Sequence, residues 1–314
     1  MAFSFISLQR TKHANPKKGM RMKSTATENQ KEKILVTGAT GNVGFEVVKS
    51  ALKRGLNIVV GIREKKDADK FPGLKVSTRI LDFENPETFP AALDGVSRIF
   101  LLRPPTLSNV KKYLFPFLVL AKNNGIKQIV LLSLLGAEKN PITPHRKIEK
   151  EILRLCIPHT FLRPSFFMQN LSTTHRAEIK DERAIFVPAG KGKTSFVDVR
   201  DIAEVAALSF TGGQYLNQAY SLTGGEALNY YQVAKTFSKV LGLKIIYKNS
   251  SLLNFYCRLK RYGFPLGQRI IMSVIYSTAK LGLAGRVTHD LECLLKRKPI
   301  LLEQFVRDNK NIWQ

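Results

Sequence analysis

The chain has 314 residues, 44% of them hydrophobic, which is enough to bury a large core and is ordinary for a globular protein. Its net charge of +26 suggests affinity for polyanions, but the basic residues are scattered and are not interleaved with aromatic residues. That distribution favours a basic enzyme with an anionic cofactor over a nucleic-acid-binding protein. Three widely separated cysteines predict neither a metal site nor a disulfide framework, and no apolar run approaches the roughly 20 residues that span a bilayer.

Residues 1–32 are predicted to be a basic, disordered segment that is not needed for folding. A signal peptide carries its charges before its apolar core, whereas here the apolar residues 3–8 come first. An organellar transit peptide fits this segment in part, and a disordered tail or a translation start at Met20 or Met22 fits it better. We therefore expect a cytoplasmic protein whose folded structure begins near Lys33.

A buried strand, a glycine-rich turn, a helix and a second buried strand follow one another between Ile34 and Arg63. This order is typical of the first βαβ unit of a dinucleotide-binding fold. Gly38 allows a tight turn after the strand, Gly41 removes a side chain that would face the phosphates, and Gly44 lets the helix pack closely. The N–H groups at the helix N-terminus attract the pyrophosphate. The residues predicted to bind it are Gly38, Thr40, Gly41, Asn42, Val43 and Gly44.

The residue after the second strand predicts NADP rather than NAD. Arg63 stands where NAD-binding proteins usually carry an acidic residue for the ribose 2′-hydroxyl. A guanidinium group can bind the 2′-phosphate of NADP through two parallel hydrogen bonds. Lys65 and Lys66 add positive charge, whereas Glu64 comes one residue late and should point away. The alternative interpretation is a solvated basic loop.

Strands and helices continue to alternate further along the chain. Strands are predicted over residues 75–81, 98–102, 128–132 and 160–162, and helices over residues 86–93, 108–124 and 144–156. This alternation predicts an α/β, Rossmann-type, doubly wound parallel sheet with helices on both faces. Ligands bind beyond the carboxyl ends of such strands. That rule selects the glycine turn, Arg63, Asp82 with Phe83, and residues 102–105 and 133–136. Asp82 is equally well explained as an ordinary cap of the next loop.

The alternation weakens after Phe166. A short strand and a helix capped near Asp198 are predicted within residues 196–207, and a last strand over residues 219–222. Residues 229–241 and 252–309 are predicted to be mostly helical. We therefore expect a cofactor-binding domain over residues 33–225 and a smaller, mostly helical part over residues 226–314 that covers the substrate.

Several stretches together resemble the NmrA-like group of atypical short-chain dehydrogenases/reductases. They include TGATGNVG, IVLLSLLGAE, FLRPSFFMQNL, FVDVRDIAEVAA and the closing LLEQFVRDN, and the resemblance runs from about Lys33 to the C-terminus. The group contains NAD(P)H-dependent quinone and dye reductases as well as non-catalytic NADP-sensing regulators. The resemblance thus implies an NADPH-dependent oxidoreductase that transfers hydride to a quinone-like or other conjugated acceptor. The alternative is a redox-sensing regulator that acts through a protein partner.

The resemblance also implies positions for parts of the cofactor. Arg63 would bind the 2′-phosphate, and Asp82 and Phe83 would flank the adenine. Leu102 and Arg103 would lie along the ribose. The residues that would border the nicotinamide are Ser165, Phe166 and Phe167.

The tyrosine and lysine that typical short-chain dehydrogenases use for catalysis are missing. Ser133 stands at the expected serine position, but His145 and Glu149 stand where the tyrosine and lysine would be. A glutamate has the wrong charge for the lysine's role, so alcohol–carbonyl chemistry by that mechanism is not expected. A quinone needs less proton catalysis, and His145 could donate a proton because the reference pKa of histidine is ~6.5. Alternatively, His145 only begins a helix or contacts the cofactor. The missing pair leans toward the regulator without deciding the question, and no metal or flavin motif is visible.

Overall fold

The computed structural model describes residues 32–314, so the predicted N-terminal segment lies outside the described residues apart from its last residue. The strands are β1 Lys33–Val36, β2 Asn57–Ile62, β3 Ser77–Ile80, β4 Val96–Leu102, β5 Gln128–Leu132, β6 His159–Pro164, β7 Phe166–Phe167, β8 Ala184–Val187, β9 Lys193–Val197, β10 Gln218–Leu222, β11 Ala227–Asn229 and β12 Ile246–Asn249. The α-helices are α1 Asn42–Lys53, α2 Phe89–Leu93, α3 Val110–Tyr113, α4 Phe115–Asn123, α5 Pro144–Arg154, α6 Gln169–Ser172, α7 Arg176–Asp181, α8 Val199–Leu208, α9 Tyr230–Leu241, α10 Leu252–Arg261, α11 Leu266–Lys280, α12 Asp290–Leu295 and α13 Leu302–Asp308.

The centre of the fold is a seven-stranded parallel sheet with the strand order β10-β6-β5-β4-β1-β2-β3. The chain leaves β1 in one direction through β2 and β3, and in the other through β4, β5, β6 and β10. The carboxyl ends of β1 and β4 therefore lie at the point where the strand order reverses. Nucleotides bind at this crevice in open α/β sheets. The predicted Rossmann-type fold is confirmed.

Helices cover both faces of the sheet. Successive residues of a strand point to opposite faces, so each strand contributes side chains to the core on either side. On β1, Ile34 and Val36 belong to the core that includes α1 and α8, whereas Leu35 belongs to the core beneath α2, α4 and α5. The small residues Ala203 and Ala206 of α8 are fully buried in the first of these cores. These two cores fix the ends of the strands against which a ligand would lie.

A third core holds the C-terminal part of the chain onto the segment after β6. Strands β7, β9 and β11 form one small sheet, and β8 and β12 form another. Phe237 and Trp313 pack edge to face, and the indole N–H of Trp313 donates a hydrogen bond to the Leu171 carbonyl oxygen at 3.2 Å. Residues on both sides of position 225 share these sheets, and the domain boundary there stays a prediction.

Two local predictions differ from the structure. The single helix predicted over residues 108–124 is two helices, α3 and α4, with Leu114 between them. Proline at the second position of α4 explains this break, because it cannot donate the hydrogen bond that would continue α3. The short strands β8 and β12 were not predicted, since four-residue strands outside the main sheet carry little periodicity. Within residues 32–314, no helix is both long enough and apolar enough to cross a bilayer.

Candidate cofactor and acceptor site

The three glycines of the turn after β1 meet three different requirements. Gly38 has a positive φ of 63°, the left-handed conformation that glycine adopts most readily. A Cβ atom on Gly44 would lie 2.2 Å from the Gly38 carbonyl oxygen, so helix α1 can approach the turn only without a side chain there. A Cβ atom on Gly41 would meet only that oxygen, at an ordinary 3.4 Å. Nothing in the described part of the chain therefore requires glycine at position 41, which is consistent with space kept for a ligand.

The start of α1 presents its backbone to the same space. Gly41 is the N-cap residue and Asn42 the first residue of this 12-residue helix, so unpaired N–H groups point out of its N-terminus. Val43 contributes only backbone here, because its side chain is buried in the core. The turn is tied to the neighbouring strand β4 by Thr37, whose hydroxyl accepts a hydrogen bond from the Leu102 N–H at 2.8 Å. The arrangement can bind an anion such as a pyrophosphate.

A cavity of about 230 Å³ extends from this turn across the carboxyl ends of β1, β2 and β3. Arg63 lines it with an exposed side chain that lies 3.8 Å from Glu84. Glu64 pairs with Lys66 at 2.6 Å instead, and Lys65 is exposed. The residues lining the cavity are Thr37, Gly38, Thr40, Gly41, Gly61, Arg63, Leu81, Asp82, Phe83, Glu84, Leu102, Pro104, Pro105, Thr106 and Leu107. Of the predicted pyrophosphate residues, Gly38, Thr40 and Gly41 line this cavity together with Arg63, Asp82 and Phe83, whereas Asn42, Val43 and Gly44 do not.

Asp82, Phe83 and Arg103, for which contacts with the cofactor were predicted, also have structural roles in the protein. The Asp82 carboxylate accepts a hydrogen bond from the Glu84 N–H at 3.0 Å, so it does cap its loop, as the alternative interpretation held. The Phe83 ring is buried and packs edge to face against Phe117, with ring centroids 5.3 Å apart. Arg103 is not among the residues that line the cavity. Its guanidinium group donates hydrogen bonds to the carbonyl oxygens of Pro104, Pro105 and Leu107, which fixes the loop that forms the cavity wall.

The predicted serine and glutamate positions form a buried ion cluster rather than a proton relay. The Ser133 hydroxyl donates a 2.7 Å hydrogen bond to Glu149, and Arg163 donates two more at 2.9 and 3.0 Å. Arg146 adds a fourth at 2.9 Å. Burial alone would raise the pKa of Glu149, but the hydrogen bonds from Arg163, Ser133 and Arg146 outweigh it and lower the pKa. Glu149 therefore stays ionised and cannot act as an acid at neutral pH.

His145 lies in the first turn of α5, which begins with Thr143 as its N-cap. Burial and, after it, the nearby charge of Arg103 lower the pKa of His145 to about 4, although the charge of Glu149 acts in the opposite direction. The imidazole is therefore uncharged at neutral pH. Its Nδ1 atom is buried and has no hydrogen-bond partner within residues 32–314. A polar group in this state can accept or donate one hydrogen bond to a ligand, but it is a weak proton donor.

The residues after β6 are placed between the sheet and the C-terminal part. The Ser165 hydroxyl is buried, and none of the described residues is its hydrogen-bond partner. Phe166 packs edge to face against Phe196 and tilts against Tyr276, with ring centroids 5.4 and 5.9 Å apart. Phe167 points to the opposite side of β7 and packs against the first core. Both rings are half-buried. Phe166 packs against the third core and Phe167 against the first, so these two cores lie on opposite sides of β7.

A second cavity, of about 520 Å³, was not predicted. It lies on the other side of the glycine turn, where Thr40 and Asn42 face α6, the start of α8 and the end of α13. Arg200 forms ion pairs at 2.7 Å with both Asp198 and Asp308, and so joins α8 to the C-terminal helix. Two of the stretches that carry the family resemblance, FLRPSFFMQNL and LLEQFVRDN, contribute its walls through Gln169, Asp308 and Asn309, and Ser172 and Thr173 directly follow the first stretch. Their joint occurrence was the sequence signal that could have located this cavity.

The fold and the glycine turn define a dinucleotide-binding protein of the Rossmann type. The model of the NmrA-like family matches residues 30–286, so the chain belongs to the NmrA-like family. The chain is 32% identical to the NAD(P)H azoreductase of Xenophilus azovorans, over 78% of this chain and 87% of the relative.

Two solved structures extend this similarity to three dimensions. The triphenylmethane reductase of Citrobacter sp. in complex with NADP(H) superposes with a TM-score of 0.79 at 26% identity, over 88% of this chain and 99% of the other. The NADPH-dependent quinone oxidoreductase of Escherichia coli in complex with NADPH gives a TM-score of 0.80 at 25% identity, over 88% and 100%.

Proposed function

We propose that this protein is an NADPH-dependent oxidoreductase that reduces a quinone-like or other conjugated small molecule. The observation that carries the proposal is a cradle for an anionic dinucleotide, with Arg63 at one end and the unpaired polar atoms of His145 and Ser165 beyond β5 and β6. The three relatives described above are an azo, a dye and a quinone reductase. They give no support to the alternative of a non-catalytic sensor.

The residues present fit a bound NADPH. The space beside Gly41 would receive the pyrophosphate, and the helix N-terminus would stabilise its charge. Arg63 would bind the 2′-phosphate, which requires its weak contact with Glu84 to open. Asp82 and the wall of residues 104–107 would enclose the adenine and ribose. When bound, the reduced nicotinamide supplies a hydride ion.

The residues at the acceptor end would orient a substrate rather than exchange protons with it. Ser133 and Glu149 are already bonded to one another and hold β5 against α5. His145 is uncharged and would hydrogen-bond an oxygen of the acceptor, so that solvent supplies the proton. Holding reactants close together in the right orientation can contribute about 7–11 kcal/mol without any acid. The same proposal includes a cytoplasmic location. It requires no nucleic-acid or protein partner.

The test is NADPH oxidation by the purified protein with a panel of quinones, azo and triphenylmethane dyes, and enones. We expect turnover with at least one conjugated acceptor. Tight NADPH binding without turnover on any acceptor would overturn the reductase and favour the sensor.

NADPH is expected to bind more tightly than NADH because of Arg63. A charge-assisted bond to phosphate contributes about 1.5–3 kcal/mol, which corresponds to roughly ten- to a hundredfold in affinity. Titration of the wild type and Arg63→Ala with both cofactors measures this, and Lys65→Ala is the control in the same loop. Equal wild-type affinities would contradict the NADP assignment. Preference retained in Arg63→Ala would move the role to Lys65 or Lys66.

A further inference from the structure

Helices α10 and α11 leave a wide apolar groove open on the surface of the C-terminal part. The groove has a volume of about 680 Å³. Its most exposed walls are Leu253, Val274 and Leu281, whose exposed fractions are 71%, 57% and 74%. Proteins rarely leave a contiguous apolar area of this kind uncovered unless it contacts a partner or a lipid surface.

Helix α11 is apolar on the side that packs inward and also on the side that faces out. Tyr276 and Ala279 are buried in the third core. A surface helix of a globular protein normally places polar residues opposite such a buried stripe. Here the outward side instead carries Leu266, Ile270, Ile271, Val274 and Ile275. Packing within the described residues does not explain these side chains.

The helices that form the groove carry charge of a single sign. Among the described residues, the acidic Glu178 and Glu182 of a neighbouring segment pair with only one basic residue of these helices, Arg258. Residues 227–289 contain no aspartate or glutamate, but they contain the basic residues Lys235, Lys239, Lys244, Lys248, Arg258, Lys260, Arg261, Arg269, Lys280 and Arg286. Lys260 follows Leu253 by seven residues and so shares its side of α10. The Arg269 guanidinium lies 4.9 Å from the ring of Tyr256, which lines the groove. Within residues 32–314, no ion pair involves Lys260, Arg269 or Lys280.

We propose that the face formed by α10 and α11 docks onto the surface of a bilayer that contains anionic lipids. Apolar side chains framed by lysine and arginine match the acyl boundary and the charged headgroups of such a surface. Helix α11, with 15 residues, is about 22 Å long and would lie in the interface rather than cross it. A second copy of the chain is a poorer fit, because two faces with the same positive charge repel each other. The proposal does not depend on the reductase activity.

The experiment is flotation of the full-length protein with vesicles of phosphatidylcholine, alone or with about one third phosphatidylserine, at about 0.1 M salt. We expect binding to the mixed vesicles and little to the neutral ones. Neutralising Lys260 and Lys280 (Lys260→Gln/Lys280→Gln) should weaken binding roughly 25-fold, since each basic residue near an anionic surface contributes about fivefold. Leu253→Ser/Val274→Ser/Leu281→Ser should weaken binding to the mixed vesicles at least as much.

The control variant, Leu153→Ser/Lys53→Gln/Lys111→Gln, replaces one exposed apolar and two exposed basic side chains outside α10 and α11. It should bind the vesicles like the wild type. Unchanged NADPH affinity and thermal midpoint would show that each variant is folded. Absence of binding to the mixed vesicles overturns the proposal, as does an equal loss in the control. A dimer seen by light scattering that the triple serine variant alone abolishes, without vesicle binding, would also overturn it, because the face would then join two copies of the chain.

Discussion

At the scale of single residues, Gly41 and Gly44 differ in what a new side chain would meet. A Cβ atom at position 41 has room, whereas one at position 44 would collide with backbone atoms of Gly38 and Ala39 at 2.2–2.7 Å. Position 41 also has an extended backbone conformation, with φ −93° and ψ 170°, which valine tolerates well. One glycine is therefore kept for the ligand and the other for the fold.

This contrast predicts different outcomes for two substitutions. Gly41→Val should fold normally and lose NADPH binding and activity, because the side chain occupies the space for the pyrophosphate. Gly44→Ala should instead lower the free energy of unfolding by several kcal/mol, because rigid backbone must shift to admit it. Thermal unfolding and NADPH titration of both variants separate the two effects. Normal NADPH affinity in Gly41→Val would contradict the placement of the pyrophosphate.

His145 is the residue whose role the sequence described least well. Its reference pKa of ~6.5 suggested a proton donor, but burial and Arg103 keep the imidazole uncharged down to about pH 4. A proton binds to such a group only when the pH falls below its lowered pKa. Between pH 5.5 and 8 its charge therefore does not change. Sequence alone could not show this, because Arg103 is 42 positions away in the chain.

We expect His145→Ala to slow turnover about 10- to 100-fold without abolishing it, because the variant loses one hydrogen bond to the acceptor oxygen as negative charge develops there, worth about 1.5–3 kcal/mol, while the orientation of the reactants is kept. The wild-type profile of kcat against pH should show no inflection from this residue between pH 5.5 and 8. His145→Gln, which keeps a hydrogen-bonding side chain but cannot titrate there, should retain more activity than alanine. An inflection near pH 6.5 that His145→Gln removes would show that His145 does act as the acid.

At the scale of elements, Glu149 joins three parts of the site. It lies on α5, and its carboxylate binds Ser133 after β5 and Arg163 on β6. The same helix carries Glu151, a buried carboxylate that within residues 32–314 forms its ion pair with the largely exposed Arg154. Loss of Glu149 takes a partner from the mostly buried Arg163, whereas loss of Glu151 leaves only the exposed Arg154 without a partner, so the two glutamates should differ in their effect on stability.

Glu149→Gln is predicted to lower the free energy of unfolding by about 3–5 kcal/mol, because it removes the carboxylate shared by Arg163 and Arg146 and leaves the mostly buried Arg163 with only its longer 3.4 Å contact to Glu138. Glu151→Gln, the matched control two residues further along the same helix, should cost less than about 1 kcal/mol. Urea denaturation of both variants measures the difference. Equal losses would mean that the cluster around Glu149 has no special structural role.

The elements that sequence predicted best are those with strong local periodicity. The βαβ unit and the strands of the central sheet carry continuous apolar runs between glycine and proline signals, and the doubly wound sheet follows from their alternation. The pairs β8–β12 and β9–β11 join residues more than 30 positions apart through strands of three to five residues. Short strands without alternation leave a weak signal, and of these four only the end of β9 was predicted. The second cavity was missed for a related reason, since its walls come from four separate segments.

At the scale of the whole molecule, the described structure begins with an ion pair that joins the first residues to the sheet. The Glu32 carboxylate lies 2.8 Å from Arg98 on β4 and 2.6 Å from Lys127 just before β5. Burial raises the pKa of Glu32, but hydrogen bonds and charges from Lys127 and Arg98 outweigh it, so the pKa is lowered. The pair therefore contributes stability above the ordinary pKa of a glutamate, and this contribution is lost as the pH falls through the lowered value.

The N-terminal segment is predicted to contribute little beyond this pair. A chain that begins at Thr27 keeps Glu32 and should unfold within a few degrees of the full-length protein, with unchanged NADPH affinity, because the earlier residues offer little apolar surface to offset the entropy of ordering them. Glu32→Ala in the full-length chain should instead lower the free energy of unfolding by about 1 kcal/mol. That loss should shrink as the pH falls below 4.5, the ordinary pKa of a glutamate, and should disappear once the pH is below the lowered pKa of Glu32. Thermal and urea unfolding of both proteins at pH 7 and pH 4 measure these effects. A large loss of stability in the shortened chain, with Glu32 still present, would show that residues before Thr27 pack against the domain.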